Sequence, residues 1–366
     1  MGKVFIDEST LKNIGDAIRF KTGESDLINP LNMPQAILSI SNNSTSSDIS
    51  VGLIEKSIVE LEIPEGTTLI SHHCFLACGN LEFVTIPNSV ISIDQSAFEM
   101  CDVLQCVVFD ENSQLTTIGD RAFYECTSLY DFTLPDCVTN IGVDAFVCCN
   151  IAEVIFPDSI TSIDDRAFLG CESLENIIMS DNISYIGEEA FLYTPYYDNE
   201  DNWIDGGLYV GNCLIDIDKN ITECIVKDGT TVIAKGVFAR NDLLQNIIIP
   251  YGITSIPEDM FALCESLISI TIPNSVTSID EWSFYFCRLL KSITIPDSVV
   301  NIGDSAFYGC GLTEVTILSN TINISKSAFN NCNNLTTINV PWSEGAVANA
   351  PWGAKNATIN YNYHGG

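Results

Sequence analysis

Histidine is nearly absent from this chain: there are three in 366 residues, His72, His73 and His364. No H-E-x-x-H zinc motif can be written from them, and neither a G-x-S-x-G elbow nor a phosphate-cradling Gly-rich loop is present. His72 and His73 stand beside Cys74, but a Cys/His nucleophile pair there lacks an orienting third group. Positive charge is scarce as well: 15 Lys and Arg stand against 48 Asp and Glu, a net charge of −33. That balance excludes binding to nucleic-acid phosphates and disfavours anionic head groups. No run approaches 18 apolar residues, so no membrane insertion is expected. The opening MGKVFIDESTLK lacks a secretory h-region, and Ile6 stands where a myristoylation motif wants Ser or Thr. The expectation is a protein made and kept in a reducing cytosol, without catalysis, metal or cofactor.

Cysteine, by contrast, is plentiful: there are fifteen. No C-x-x-C pair recurs at zinc-ligand spacing, and position explains most of them. A landmark Phe recurs at 75, 98, 123, 146, 168, 191, 238, 261, 284, 307 and 329. The gaps are 23, 25, 23, 22, 23, 47, 23, 23, 23 and 22 residues, and 47 is close to two periods. Nine cysteines (78, 101, 126, 149, 171, 264, 287, 310 and 332) follow a landmark Phe by three. They are repeat positions, expected as a reduced ladder of small buried groups with a weak S–H donor. A fixed period of this length signals stacked coils.

Leu290 to Leu312, LKSITIPDSVVNIGDSAFYGCGL, shows how one coil works. Its Ile-x-Ile alternation has the strand period, Pro296 stops the strand, and Asp297-Ser298 favours a turn. A second apolar run then crosses the far side, and the Ser-Ala-Phe segment turns back through an expected 3₁₀ or helical turn. One such coil cannot bury its own Leu, Ile, Val and Phe, whereas stacked coils bury them continuously at ~4.8 Å spacing.

The pattern L-x-x-I-x-I-P-x-S-V-x-x-I-G-x-x-A-F-x-x-C, met from about Leu61 to Val340, resembles the BspA-like leucine-rich repeats. The resemblance implies a right-handed solenoid of about twelve coils. A parallel β-sheet would line its concave face, with short strands or 3₁₀ turns on the convex side. It also implies the role of a surface adhesin or recognition protein without catalysis.

Outside the repeats, residues 1–40 read as a small helical attachment module. Ser9 caps a stripe of Leu11, Ile14, Ala17 and Ile18, and Pro34 opens a second helix. Leu11, Ile14, Ala17 to Arg19, Lys21 to Gly23 and Met33-Pro34 resemble an N-terminal module of phage tail and fibre proteins. That resemblance implies other virion proteins as partners through residues 1–40. Residues 41–50 are a Ser-rich linker, 51–340 the solenoid with an insertion at 192–218, and 341–366 a C-terminal cap. Pro351 to Tyr363 also resembles the ends of phage tail proteins.

Two candidate binding regions follow. The strand reading turns Phe83, Val108, Asp131, Glu153, Ile155, Asn176, Ile178, Glu223, Ile225, Asn246 and Ile248 outward on the concave face. Apolar residues rimmed by acids and amides suit an interaction face, although β-branched residues also simply suit a strand. The long unit adds Tyr193, Tyr196, Tyr197, Trp203 and Tyr209 among acids and amides, rings that could stack on a sugar or peptide or cover the coil's flank. Asp198, Glu200 and Asn202 echo a calcium loop, but Trp203 replaces its Gly and Tyr209 its bidentate Glu. The resulting expectation is a phage tail-associated receptor-binding protein, made in the host cytoplasm and carried in the virion tail. Its target would be a bacterial surface protein or glycan. The alternatives are a bacterial cell-surface or secreted adhesin, and an architectural virion protein.

Overall fold

The computed structural model describes residues 4–5 and 59–363. The helices expected in residues 1–40, the linker at 41–50 and His364 lie outside the described residues. Val4–Phe5 is a strand that pairs in parallel with Leu61–Glu62. The sheet therefore starts before the expected solenoid boundary.

The rest is a parallel β-solenoid of about 13 coils, in which a single four-residue helix is described. Most coils give one strand to a first sheet and a two-residue strand to a second. The chain divides into two compact units, Met1–Glu200 and Asp201–Gly366. In the N-terminal unit the second sheet runs unbroken through Leu69–Ile70, Ser92–Ile93, Thr117–Ile118, Asn140–Ile141, Ser162–Ile163 and Tyr185–Ile186. The C-terminal unit repeats the plan, its first sheet running from Glu223–Ile225 to Thr358–Asn360 in two segments.

Packing inside the coils follows the landmark residues. Phe75, Phe98, Phe123, Phe146, Phe168 and Phe191 form one stack, with ring centroids 5.0, 5.2, 5.3, 5.0 and 5.6 Å apart. Phe238, Phe261, Phe284, Phe307 and Phe329 form another in the C-terminal unit. All eleven rings are fully buried, at separations typical of offset stacking.

The cysteines connect the coils. Cys101 donates its S–H to the carbonyl of Phe75 in the preceding coil at 3.0 Å. Cys126 does the same to Phe98, Cys264 to Phe238 and Cys310 to Phe284. None of the fifteen cysteines forms a disulfide. Polar motif residues have a similar task. Ser159, Ser275 and Ser298, each in the turn after the strand, donate to carbonyls of the preceding coil at 2.6, 2.6 and 2.7 Å.

The segment around each landmark Phe is not the 3₁₀ or helical turn that the sequence suggested. It is a run of β-turns with left-handed residues two before and two after the Phe, as at Arg121 (φ 54) and Glu125 (φ 56). Its N–H groups bond alternately within the turn and to the next coil: Phe123 N reaches Ala145 O at 2.8 Å, whereas Cys126 N returns to Phe123 O at 3.1 Å. A helix would keep all these bonds inside one coil. Gly303 illustrates how closely coils approach, because an added Cβ would stand 2.6 Å from the Glu281 backbone nitrogen.

The first sheet of the N-terminal unit is interrupted once. Asp131–Phe132 pairs with Cys106–Val107 for two residues only, and Glu153–Ile155 belongs to a separate two-stranded sheet with Asn176–Ile178. The inward residue of this coil is Phe132, where neighbouring coils carry Val107 and Val154. Its ring meets Phe109, Phe123 and Phe146 edge-on at 5.6, 5.3 and 4.9 Å. That bulk forces the strands apart.

Three outcomes test this packing by chemical denaturation. Phe123→Ala should lower stability by about 3–5 kcal/mol, through lost transfer and an unfilled cavity. Gly303→Ala should cost about 1–3 kcal/mol by overpacking, whereas Glu125→Gly should stay within about 1 kcal/mol, because relief of the left-handed strain offsets the added chain entropy. Alkali tests the cysteines: burial pushes the thiols of Cys171 and Cys264 up to about 12 from 9.0. The folded chain favours the neutral thiol, so this stability is whole below pH 9 and lost progressively between pH 9 and 12. Each such thiol should contribute a fall of about 1.4 kcal/mol per pH unit, and Cys171→Ala/Cys264→Ala should make the decline shallower.

Candidate interaction face

Strand alternation decides what the first sheet shows. In Glu153–Ile155 and Asn176–Ile178 the middle residue is buried and the outer two are exposed. Parallel register places Glu153 beside Asn176 and Ile155 beside Ile178. The result in the N-terminal unit is an apolar column next to a polar one. Ile155 and Ile178 are 55% and 52% exposed. Phe83, Val108 and Asp131 are exposed on the preceding, five-stranded segment of the first sheet.

The C-terminal unit has the same arrangement. Glu223 lies beside Asn246 and Ile225 beside Ile248, and Ile225 is 67% exposed. The polar column is internally bonded: Asn246 donates to the Glu223 carboxylate at 3.3 Å, and Ser269 donates to the Asn246 amide oxygen at 2.6 Å. The next coils carry Thr271 and Thr294 where Ile225 and Ile248 stood, and both are exposed.

The aromatic segment divides between the two compact units. Tyr193 is exposed and Tyr196 and Tyr197 are half-buried. Their placement follows from the Pro195–Asp198 helix, whose N-cap Thr194 accepts a hydrogen bond from the Tyr197 N–H at 3.1 Å and whose first position is Pro195. Thr-Pro before a helical turn is a start signal readable in the sequence. Trp203 is half-buried in Trp203–Ile204, which pairs antiparallel with Gly207–Val210.

Tyr209 is not a surface ring. It is buried, its hydroxyl accepts the Lys227 backbone N–H at 3.0 Å, and the Lys227 ammonium lies 5.5 Å from its ring centre. Nor is all of 192–218 an insertion. Cys213–Ile217 pairs with Gly207–Val210 as a hairpin, and Cys213-Leu214 pairs in parallel with Val232-Ile233 as an ordinary coil strand would. The two turns carry strong hairpin signals: Asp205-Gly206, both with positive φ, and Gly211-Asn212.

His72 and His73 pack edge-to-face at 5.1 Å in the first coil. Burial pushes the adjacent Cys74 thiol well up, the opposite of what a nucleophile needs. Among the described residues no group of three His, Cys, Asp or Glu could hold a metal ion, and no helix is long and apolar enough to cross a membrane.

The outward columns should tolerate polar substitution without loss of fold. Ile155→Asp and Ile178→Asp are expected to stay within about 1 kcal/mol of the parent, whereas Ile177→Asp, which buries an unpaired carboxylate, should unfold the protein. Thermal melts of the three variants would decide this. Equal damage at 155 and 177 would reverse the assignment of faces.

A model of the BspA type leucine-rich repeat region matches residues 24–114, 53–146, 109–198 and 213–343. Solved structures with similar folds include a leucine-rich cell surface protein from Faecalibacterium prausnitzii, at 27% identity and TM-score 0.42, covering 79% of this chain and 89% of that one. A leucine-rich repeat protein from Bacteroides ovatus matches at 23% identity and TM-score 0.41, covering 84% of each chain. The pneumococcal vaccine antigen PcpA matches at 18% identity and TM-score 0.39, covering 83% and 82%. No curated protein matches the chain. Members of this family are generally binding scaffolds without catalysis. The matched repeats span most of the sequence, and the chain belongs to the BspA-type leucine-rich-repeat family.

Proposed function

We propose that this chain is a non-enzymatic recognition protein whose first sheet engages a protein or glycan on a bacterial surface. The supporting observation is the pair of exposed isoleucine columns, Ile155/Ile178 and Ile225/Ile248, each beside a column of acid and amide. Strand formation alone does not call for them. Thr271 and Thr294 occupy the same register in later coils and are equally β-branched without presenting an apolar surface. Apolar residues rimmed by polar ones are what a partner's surface can cover.

A bacterial cell-surface adhesin, the usual role in the family, is the carrier we favour. A phage tail-associated protein is the second reading. It is favoured by the phage-like Leu11 to Gly23 and Met33-Pro34 segment and by Pro351 to Tyr363. Immunogold labelling separates the two: gold on the envelope of producing cells supports the first, and gold on virion tails the second.

Binding of fluorescently labelled protein to a panel of Gram-positive cells tests recognition itself. Saturable binding to a narrow set of strains is expected, and Ile155→Asp/Ile178→Asp/Ile225→Asp should weaken it at least tenfold while leaving the melting temperature nearly unchanged. Undiminished binding by that variant, or no binding to any strain, would remove the first sheet as the recognition surface.

A further inference from the structure

Beside Phe132 the backbone ladder of the first sheet stops short. Elsewhere the pairing runs past the strand ends: Ile63 N–H donates to Thr85 O, Asp110 N–H to Ile86 O and Phe156 N–H to Ile178 O, at 2.9, 3.0 and 2.9 Å. The same rhythm would join Thr133 N–H to Val107 O and Phe109 N–H to Thr133 O. Among the described residues neither bond forms, because pairing ends at Val107–Phe132. Two causes combine. The Phe132 ring wedges against Phe109 and the buried phenylalanine stack, and the preceding coil, which carries Val107, is a long one, with 25 residues from Phe98 to Phe123.

The gap is an open cleft of about 620 Å³, within the usual range of binding clefts, roughly 300–1,000 Å³. Val108 to Asp110 and the Asn112–Gln114 loop form one wall, and Thr133 to Cys137 the other. At one end the Cys106 thiol donates to the Asp131 carboxylate at 3.4 Å. Asp110, Asp131 and Asp136 supply negative charge, while no Lys or Arg lines the cleft. Val108, Leu134 and Pro135 supply an apolar lining.

We propose that this cleft is a docking groove for an extended segment of a partner protein carrying Lys or Arg next to an apolar residue. The proposal rests on the recognition reading above and names the chemistry of one partner. Unused strand donors and acceptors at a groove are what an added peptide strand pairs with. The three carboxylates select a cationic side chain, whose methylene stem lies along Val108 and Leu134. A sugar would want an open aromatic platform, whereas the Phe109 and Phe132 rings pack against each other.

Hydrogen exchange read at single amides gives the test, using the intact chain and the probe acetyl-Val-Lys-Val-Arg-Val-amide. In the free protein the Phe109 and Thr133 amides should exchange rapidly, and saturating probe should slow both at least tenfold. Asp110→Asn/Asp131→Asn/Asp136→Asn should weaken the probe about tenfold, and the same peptide with Glu for Lys and Arg should not bind. Phe132→Val should let the ladder close, protecting Thr133 without probe and abolishing binding. Should that variant fail to fold, the triple Asn variant decides alone. The groove is overturned if the probe leaves both amides unprotected, or if acidic and basic peptides bind alike. Cell binding measured in parallel separates the two readings. Cells bound without probe protection keep the recognition role and discard the groove, whereas probe protection without cell binding does the reverse.

Discussion

Everything in this molecule depends on contact between one coil and the next. A coil of 23 residues cannot close its own interior, and the landmark Phe shows how neighbours close it. Its ring stacks on the rings above and below, and its carbonyl takes two donors. For Phe75 these are the N–H of Cys78 in the same coil and the thiol of Cys101 in the next. Each S–H bond is weak, but it satisfies a buried carbonyl lone pair with a group small enough to fit the turn. Stability then accumulates by nearest neighbours, as expected of a quasi-one-dimensional stack.

That constraint also divides structural residues from those left for binding. The turn serines donate to the preceding coil, and so do threonines such as Thr139 and Thr161, which reach Thr116 and Thr139 at 3.1 and 3.0 Å. Hydroxyls that might look like ligand contacts are thus already bonded. Outward positions of the first sheet are the ones whose side chains no coil requires. There the sequence departs from its own later repeats, placing Ile, Glu and Asn where Ser and Thr would serve.

How much of this could be read from the sequence depends on whether a feature repeats. The Phe and Cys positions recur at a fixed spacing, so the stack, its reduced thiols and the alternation that exposes Ile155 and Ile178 were legible. The turn geometry was not, because left-handed residues such as Arg121, Glu125 and Cys148 are chemically unlike one another and share no sequence mark. Tyr209 is a different case. Its flanking Asp-Gly and Gly-Asn turns announce a hairpin, but in a segment this rich in aromatics nothing marks which ring the hairpin buries. Phe132 is a single apolar substitution at an inward position. Only the three-dimensional contact with Phe109, Phe123 and Phe146 shows that it splits a sheet.

The division between stacking and recognition can be measured directly by substituting every position from 59 to 363 and scoring each variant twice, for protease resistance and for binding to a susceptible bacterial strain. Positions that lose binding while keeping resistance should fall on the outward side of the first sheet and along the cleft beside Phe132, and motif Phe, Cys, Ser and Gly positions should lose both together. If the binding-specific positions mapped instead to the second sheet or to the turns around the landmark Phe, the first sheet would be only scaffold, and the recognition surface would lie on the opposite side of the coils.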